Sequence, residues 1–105
     1  MQLMTETYAS WNLNLLKNEV QFLGRAQQTP MIKAEIAHME AEINRREGKS
    51  LFYTYTAKNF SQATDFRTVA KTLAAAGYKP VLKGMTLTID APPVLVSYVA
   101  KDQLS

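Results

Sequence analysis

The stretch SWNLNLLKNEVQFLGRAQQTPMIKAEIAHMEAEINRREG, residues 10–48, decides the fold. Leu13, Leu16, Val20 and Leu23 form one apolar stripe in it, and Ile32, Ile36, Met39 and Ile43 form another. Each alternates steps of three and four, the spacing that keeps side chains on one side of an α-helix. The spacing predicts a helix over about 6–23 and a second over about 30–47. Thr29-Pro30 is a good start for the second helix: threonine caps, and proline fits the first helical position because its missing N–H costs nothing there. Thr5, ahead of Glu6, is a similar cap for the first helix. Near-equal lengths and a short loop suit an antiparallel hairpin.

The two helices differ on a wheel. The second has one narrow stripe, and its back carries Ala34, Ala37, Ala41 and Arg45. This makes it an outer wall. The first has two apolar sides, because Tyr8, Trp11, Leu15 and Phe22 lie almost opposite the leucine stripe. A helix that is apolar on two sides must be covered on two sides. Either the remainder of the chain or a second molecule covers Tyr8, Trp11, Leu15 and Phe22, and self-association is the reading adopted.

After Gly48 the pattern changes. Leu51 to Ala57 is rich in aromatics and threonine and reads as a strand. A third helix follows over about 61–76, with Phe66, Val69, Ala70 and Leu73 as its buried face. Three short strands are predicted near 79–82, 85–90 and 94–99, with Lys83-Gly84 as a hairpin turn and Pro92-Pro93 between the last two. In the middle one Met85, Leu87 and Ile89 alternate with Thr86, Thr88 and Asp90, as in a half-buried antiparallel strand. VLVSYV, residues 94–99, is apolar on both faces and reads as a central strand. Gly24, Gly48 and Gly77 fall where helices should end.

The expected fold class is α+β: an N-terminal antiparallel helical hairpin, then a small, mostly antiparallel four-stranded sheet with one packed helix. The 105 residues form one domain, with 1–48 as the hairpin and 49–105 as the β-α-β-β-β portion. Such a length can bury a core without disulfides or metal.

The absence of cysteine excludes disulfides, thiol nucleophiles and cysteine-ligated metal. The one histidine, His38, points away from the stripe and reads as a solvated helix residue. Glu35, Glu40, Glu42 and Glu47 repeat along the second helix as a solvated acidic face, with Glu42 and Arg46 at the favourable i, i+4 spacing. The glycines are too far apart for a phosphate-binding loop. No catalytic residue, cofactor or metal is therefore expected. With no long apolar run and no secretory pattern at the start, the chain reads as cytoplasmic, with no membrane partner.

Charge is uneven. Residues 1–48 carry five basic and six acidic residues, net −1, whereas 49–105 carry seven basic and three acidic, net +4. Lys58, Arg67, Lys71, Lys79 and Lys83, beside strand tyrosines, supply a second reading as a small nucleic-acid-binding surface. The order of elements matches neither the common RNA-binding sheet nor a winged helix. The function expected first is a non-enzymatic protein-interaction or regulatory module that binds a protein partner and forms a homo-oligomer through Tyr8, Trp11, Leu15 and Phe22.

Overall fold

A computed structural model describes residues 8–104, with side chains described through Ala100. The elements are a 3₁₀ turn (Tyr8–Ser10), α1 (Leu13–Gly24), α2 (Pro30–Arg46), β1 (Tyr53–Thr56), α3 (Phe60–Ala75), β2 (Val81–Lys83), β3 (Thr86–Ile89) and α4 (Pro93–Leu104). The fold is thus mixed helix and sheet, and the sheet has three antiparallel-paired strands rather than the four expected.

The missing strand is α4. VLVSYV is apolar on every side, so alternation alone cannot separate a buried strand from a buried helix. Two features favour the helix. Pro93 sits at its first position, where a proline suits a helix start, and the Pro92 carbonyl accepts from Leu95 N–H at 3.0 Å and Val96 N–H at 3.1 Å. Leu95, Val96 and Val99 then fall on one side and are buried. Tertiary packing here outweighs the β-propensity of three valines.

The first helix also starts later than its pattern suggests. Tyr8–Ser10 forms a tight turn closed by Trp11 N–H on the Tyr8 carbonyl at 3.0 Å. Asn12 then caps α1, its side chain accepting from Asn14 N–H at 2.8 Å. The proposed Thr5 cap lies outside the described residues. In α2 the expected cap is present: Thr29 accepts from Ile32 N–H at 3.2 Å, and Pro30 opens the helix. Asn59 does the same for α3, accepting from Gln62 N–H at 2.9 Å while Gln62 Oε1 accepts from Lys58 N–H at 2.7 Å.

The helices pack in series: α1 on α2, α2 on α4, α4 on α3, and α3 on the sheet. This reverses the expected roles of the first two helices. Leu16 and Met39 are buried between α1 and α2, with Val20, Leu23 and Ile43 around them. On the opposite side of α2, Ala34 and Ala41 enter the main core with Leu95, Val99, Leu73 and Leu87. The alanines are small because a second helix, α4, must approach there. So α2 is the inner helix, covered on both sides, and α1 is the outer wall. The expected solvated acidic face fails for the same reason: Glu35 and Glu42 are buried, while Glu40 and Glu47 remain exposed.

Strand order is β1-β3-β2. Tyr53 pairs with Ile89 and Tyr55 with Leu87, whereas Val81 pairs with Thr88 and Lys83 with Thr86. Paired residues share a face, so Tyr53, Tyr55, Leu82, Leu87 and Ile89 point to the helices. Thr54, Thr56, Thr86, Thr88, Val81 and Lys83 make the opposite face. The parity expected for β3 holds, with Leu87 and Ile89 fully buried. The hairpin turn is Gly84-Met85, one residue later than Lys83-Gly84. Gly84 has φ 59° and Met85 is not left-handed, the requirement of a type II′ turn with glycine first.

Candidate functional site

Two features stand out beyond ordinary packing: a polar network buried against α2, and an uncharged open sheet edge at β1. Both involve residues whose role the sequence hides.

The network is centred on His38, which is 1% exposed rather than solvated. Because α2 is covered on two sides, the flank of its alanine face lies inside. His38 Nδ1 and the Tyr78 hydroxyl are 2.6 Å apart. The Tyr8 ring meets the His38 ring at 5.1 Å, and Trp11 packs edge-on to Tyr8 at 4.8 Å. The Arg45 guanidinium lies 4.9 Å from the centre of the Tyr78 ring. Burial pushes the Tyr78 hydroxyl far above its ordinary range, and Arg45 only partly offsets this.

Next to it, the Glu42 carboxylate accepts from Arg45 at 2.9 Å and from Arg46 at 2.8 Å. Burial alone would raise the Glu42 pKa, but hydrogen bonds and charge from the two arginines hold it below the usual range. Arg46 also donates to the Tyr8 carbonyl at 2.7 Å and the Ala9 carbonyl at 3.0 Å. The network thus fastens the N-terminal turn and the segment after α3 to one helix. Its neutral, buried tyrosine and doubly paired carboxylate are arranged for fixing structure, since every one of these charges has an opposite partner. Among the described residues no three histidine, aspartate or glutamate side chains converge as a metal site. No helix among them is long and apolar enough to cross a membrane.

The four residues expected as one association face are split. Tyr8 is buried and Trp11 half-buried, both in or beside the 3₁₀ turn and folded onto α2. Leu15 and Phe22, on α1, are 50% and 69% exposed. Only these two remain at the surface.

The five basic residues Lys58, Arg67, Lys71, Lys79 and Lys83 are all exposed. Arg67 and Lys71 lie one turn apart on α3, which packs on the inner face of the sheet. Lys83 belongs to the outer face, through its pairing with Thr86. The set is therefore divided between two sides of the sheet.

The edge is different in character. Both outer strands, β1 and β2, have an open side. The β2 edge follows Lys79-Pro80 and ends at Lys83, and lysine and proline are the usual guards against unwanted pairing. From Ser50 to Ala57, SLFYTYTA, β1 and its approaches carry no charge and no proline, and lysines stand only at the two ends, Lys49 and Lys58. Its entry exposes Leu51 (65%) and Phe52 (57%), and Phe60 beyond it is 85% exposed. Ala57 N–H donates to the Met85 carbonyl at 2.7 Å, which fixes the phase of the ladder. In an antiparallel pair such bonds fall on alternate residues. Tyr53 and Tyr55 therefore bond toward β3, and Thr54 and Thr56 aim their backbone N–H and carbonyl groups at the open edge. Sequence reading identified the strand but not its place at the edge, which depends on β3 pairing between β1 and β2.

Compared with known proteins, the chain matches no family model, no curated protein and no solved structure.

Proposed function

We propose that this protein is a non-enzymatic interaction module whose partner is a second copy of itself, joined through β1. The observation that carries this reading is the uncharged, proline-free edge over 50–57, with the backbone groups of Thr54 and Thr56 aimed outward. Two copies meeting antiparallel at Thr54 extend the sheet from three strands to six. Paired residues then keep the same parity, so tyrosines continue along the inner face and threonines along the outer one. Leu51, Phe52 and Phe60 lie beside the new seam and lose water there, which adds apolar burial to the main-chain bonds.

Sedimentation across a range of concentrations tests this. The expected result is a reversible dimer for the natural chain and a folded monomer for Thr54→Pro. Proline at this position removes an outward N–H and takes no bond from β3. A chain that stays monomeric at high concentration overturns the proposal. So does a Thr54→Pro variant that still dimerises. If Phe22→Asp alone then breaks that dimer, α1 is the interface. Co-sedimentation with single-stranded DNA or RNA, lost steeply with salt, would instead favour the basic residues.

A further inference from the structure

We propose that the β1 seam is regulated by a multivalent anion of the oligophosphate class, held at each end of the seam by lysines from both copies. This rests on the β1 pairing proposed above and names what controls it.

The segment that forms the edge reads KSLFYTYTAK, residues 49–58, with a lysine at each end and no acid. The spacing matters once two copies meet. With Thr54 opposite Thr54 of the second copy, Lys58 falls opposite the second copy's Ser50, and Lys49 opposite its Asn59. Each end of the seam therefore holds Lys58 of one copy beside Lys49 of the other, and the two-fold axis repeats this at the far end. Opposed residues of an antiparallel pair have Cα atoms only ~5 Å apart. Ammonium groups on such neighbouring stems lie within the Debye length of ~8 Å at physiological salt, so they still repel. The repulsion belongs to the pair of copies, because within one copy the two lysines stand nine positions apart, at opposite ends of the edge.

Little within the protein neutralises these lysines. Glu47 approaches Lys49 at 3.6 Å but is bonded more closely to Lys17, at 3.0 Å. Lys58 forms no ion pair among the described residues. Asp90, next to the Ile89 that pairs with Tyr53, is buried and accepts from Lys79 N–H at 2.8 Å. Each end of the seam thus keeps a surplus of positive charge.

A monovalent ion can screen this surplus but cannot bridge it. A compact anion with two or more charges meets both lysines at once, one from each copy, so it binds the dimer better than the single chain. By linkage it tightens the dimer in proportion. Lysine offers a point charge on a flexible stem, so the site selects by charge rather than by shape. The same lysines explain how an edge without proline is kept from indiscriminate pairing: their repulsion must be relieved before the seam closes.

Sedimentation of the full chain in two buffers of equal ionic strength, one of sodium chloride and one of sodium diphosphate, tests this. The dimer dissociation constant should be at least about threefold lower in diphosphate, the scale expected for two relieved pairs of exposed charges. Lys49→Gln/Lys58→Gln should dimerise more tightly than the natural chain in chloride and lose the response to diphosphate. Lys33→Gln/Lys83→Gln removes as much charge, from the far end of α2 and the opposite edge of the sheet, and should keep the response. A dimer whose constant is the same in both buffers overturns the proposal. So does a full response in Lys49→Gln/Lys58→Gln, or a response lost equally in Lys33→Gln/Lys83→Gln. A chain that is monomeric in both buffers overturns the β1 pairing itself, and this inference falls with it.

Discussion

His38 Nδ1 and the Tyr78 hydroxyl meet at 2.6 Å inside the protein, joining the middle of α2 to the loop that follows α3. A second tyrosine offers the opposite case. The Tyr55 hydroxyl is buried and meets no hydrogen-bond partner among the described residues. Removing one member of a made bond costs stability, whereas removing an unmade one does not. Tyr78→Phe is therefore expected to cost about 1–2 kcal/mol in urea denaturation, and Tyr55→Phe to be neutral or stabilising. Tyr78 also predicts an alkaline limit. Its folded pKa is raised, so its contribution is complete below the unfolded value of about 10 and is lost as pH climbs past it. The absorbance of its phenolate should appear only as the protein unfolds.

Glu42 sets the acid side. Its pKa is lowered by Arg45 and Arg46 against the opposing effect of burial. Its contribution is present above the unfolded value of about 4.3 and is lost as pH falls through the lower folded value. Glu42→Gln should cost about 2 kcal/mol at neutral pH, between an exposed and a fully buried pair. It should also flatten the stability profile below pH 5. The same scan on Lys17→Ala should show no resolvable change. Its partner Glu47, 3.0 Å away, is solvated.

Trp11 and Phe22 should separate cleanly. Trp11→Ala is expected to cost about 2 kcal/mol, because the ring packs on Tyr8 beneath α1. Phe22→Ala should change stability by less than about 0.5 kcal/mol, as expected for a side chain that touches mainly water. Thermal denaturation of both variants checks this.

Ala34 should resist enlargement. It is fully buried between α2 and the helices behind it. Ala34→Leu is expected to cost about 2 kcal/mol by overpacking. The same substitution at Ala75, which is exposed at the end of α3, should be tolerated. Calorimetry on the pair would show the difference.

These cases show how much the chain reveals before it folds. The leucine and isoleucine stripes, the Thr29-Pro30 start and the parity of Leu87 and Ile89 are local patterns, and each survives in the structure. What failed was local evidence with two meanings. VLVSYV is apolar at every position, so its period carries no information. Pro92-Pro93 reads equally as a separator or as a helix start. His38 and Glu42 looked solvated because a wheel shows only which side is apolar, and alanine scores as neutral. The clue lay in the size of Ala34 and Ala41, since small residues in register invite a close helix. The β1 edge could not be read at all, because it depends on a partner strand more than thirty positions away.

That strand order has a temporal side. β1 and β2 run parallel and cannot pair until β3 slips between them, so nothing made before Thr86 can close the sheet. During synthesis SLFYTYTA is made before its neighbour β3, with neither a charge nor a proline within it. Until β3 and then α4 are made, the chain holds three helices, two unpaired strands and an uncovered row of alanines. The interval between Tyr53 and Ile89 is thus the stretch of translation in which this protein is most exposed to pairing with the wrong chain.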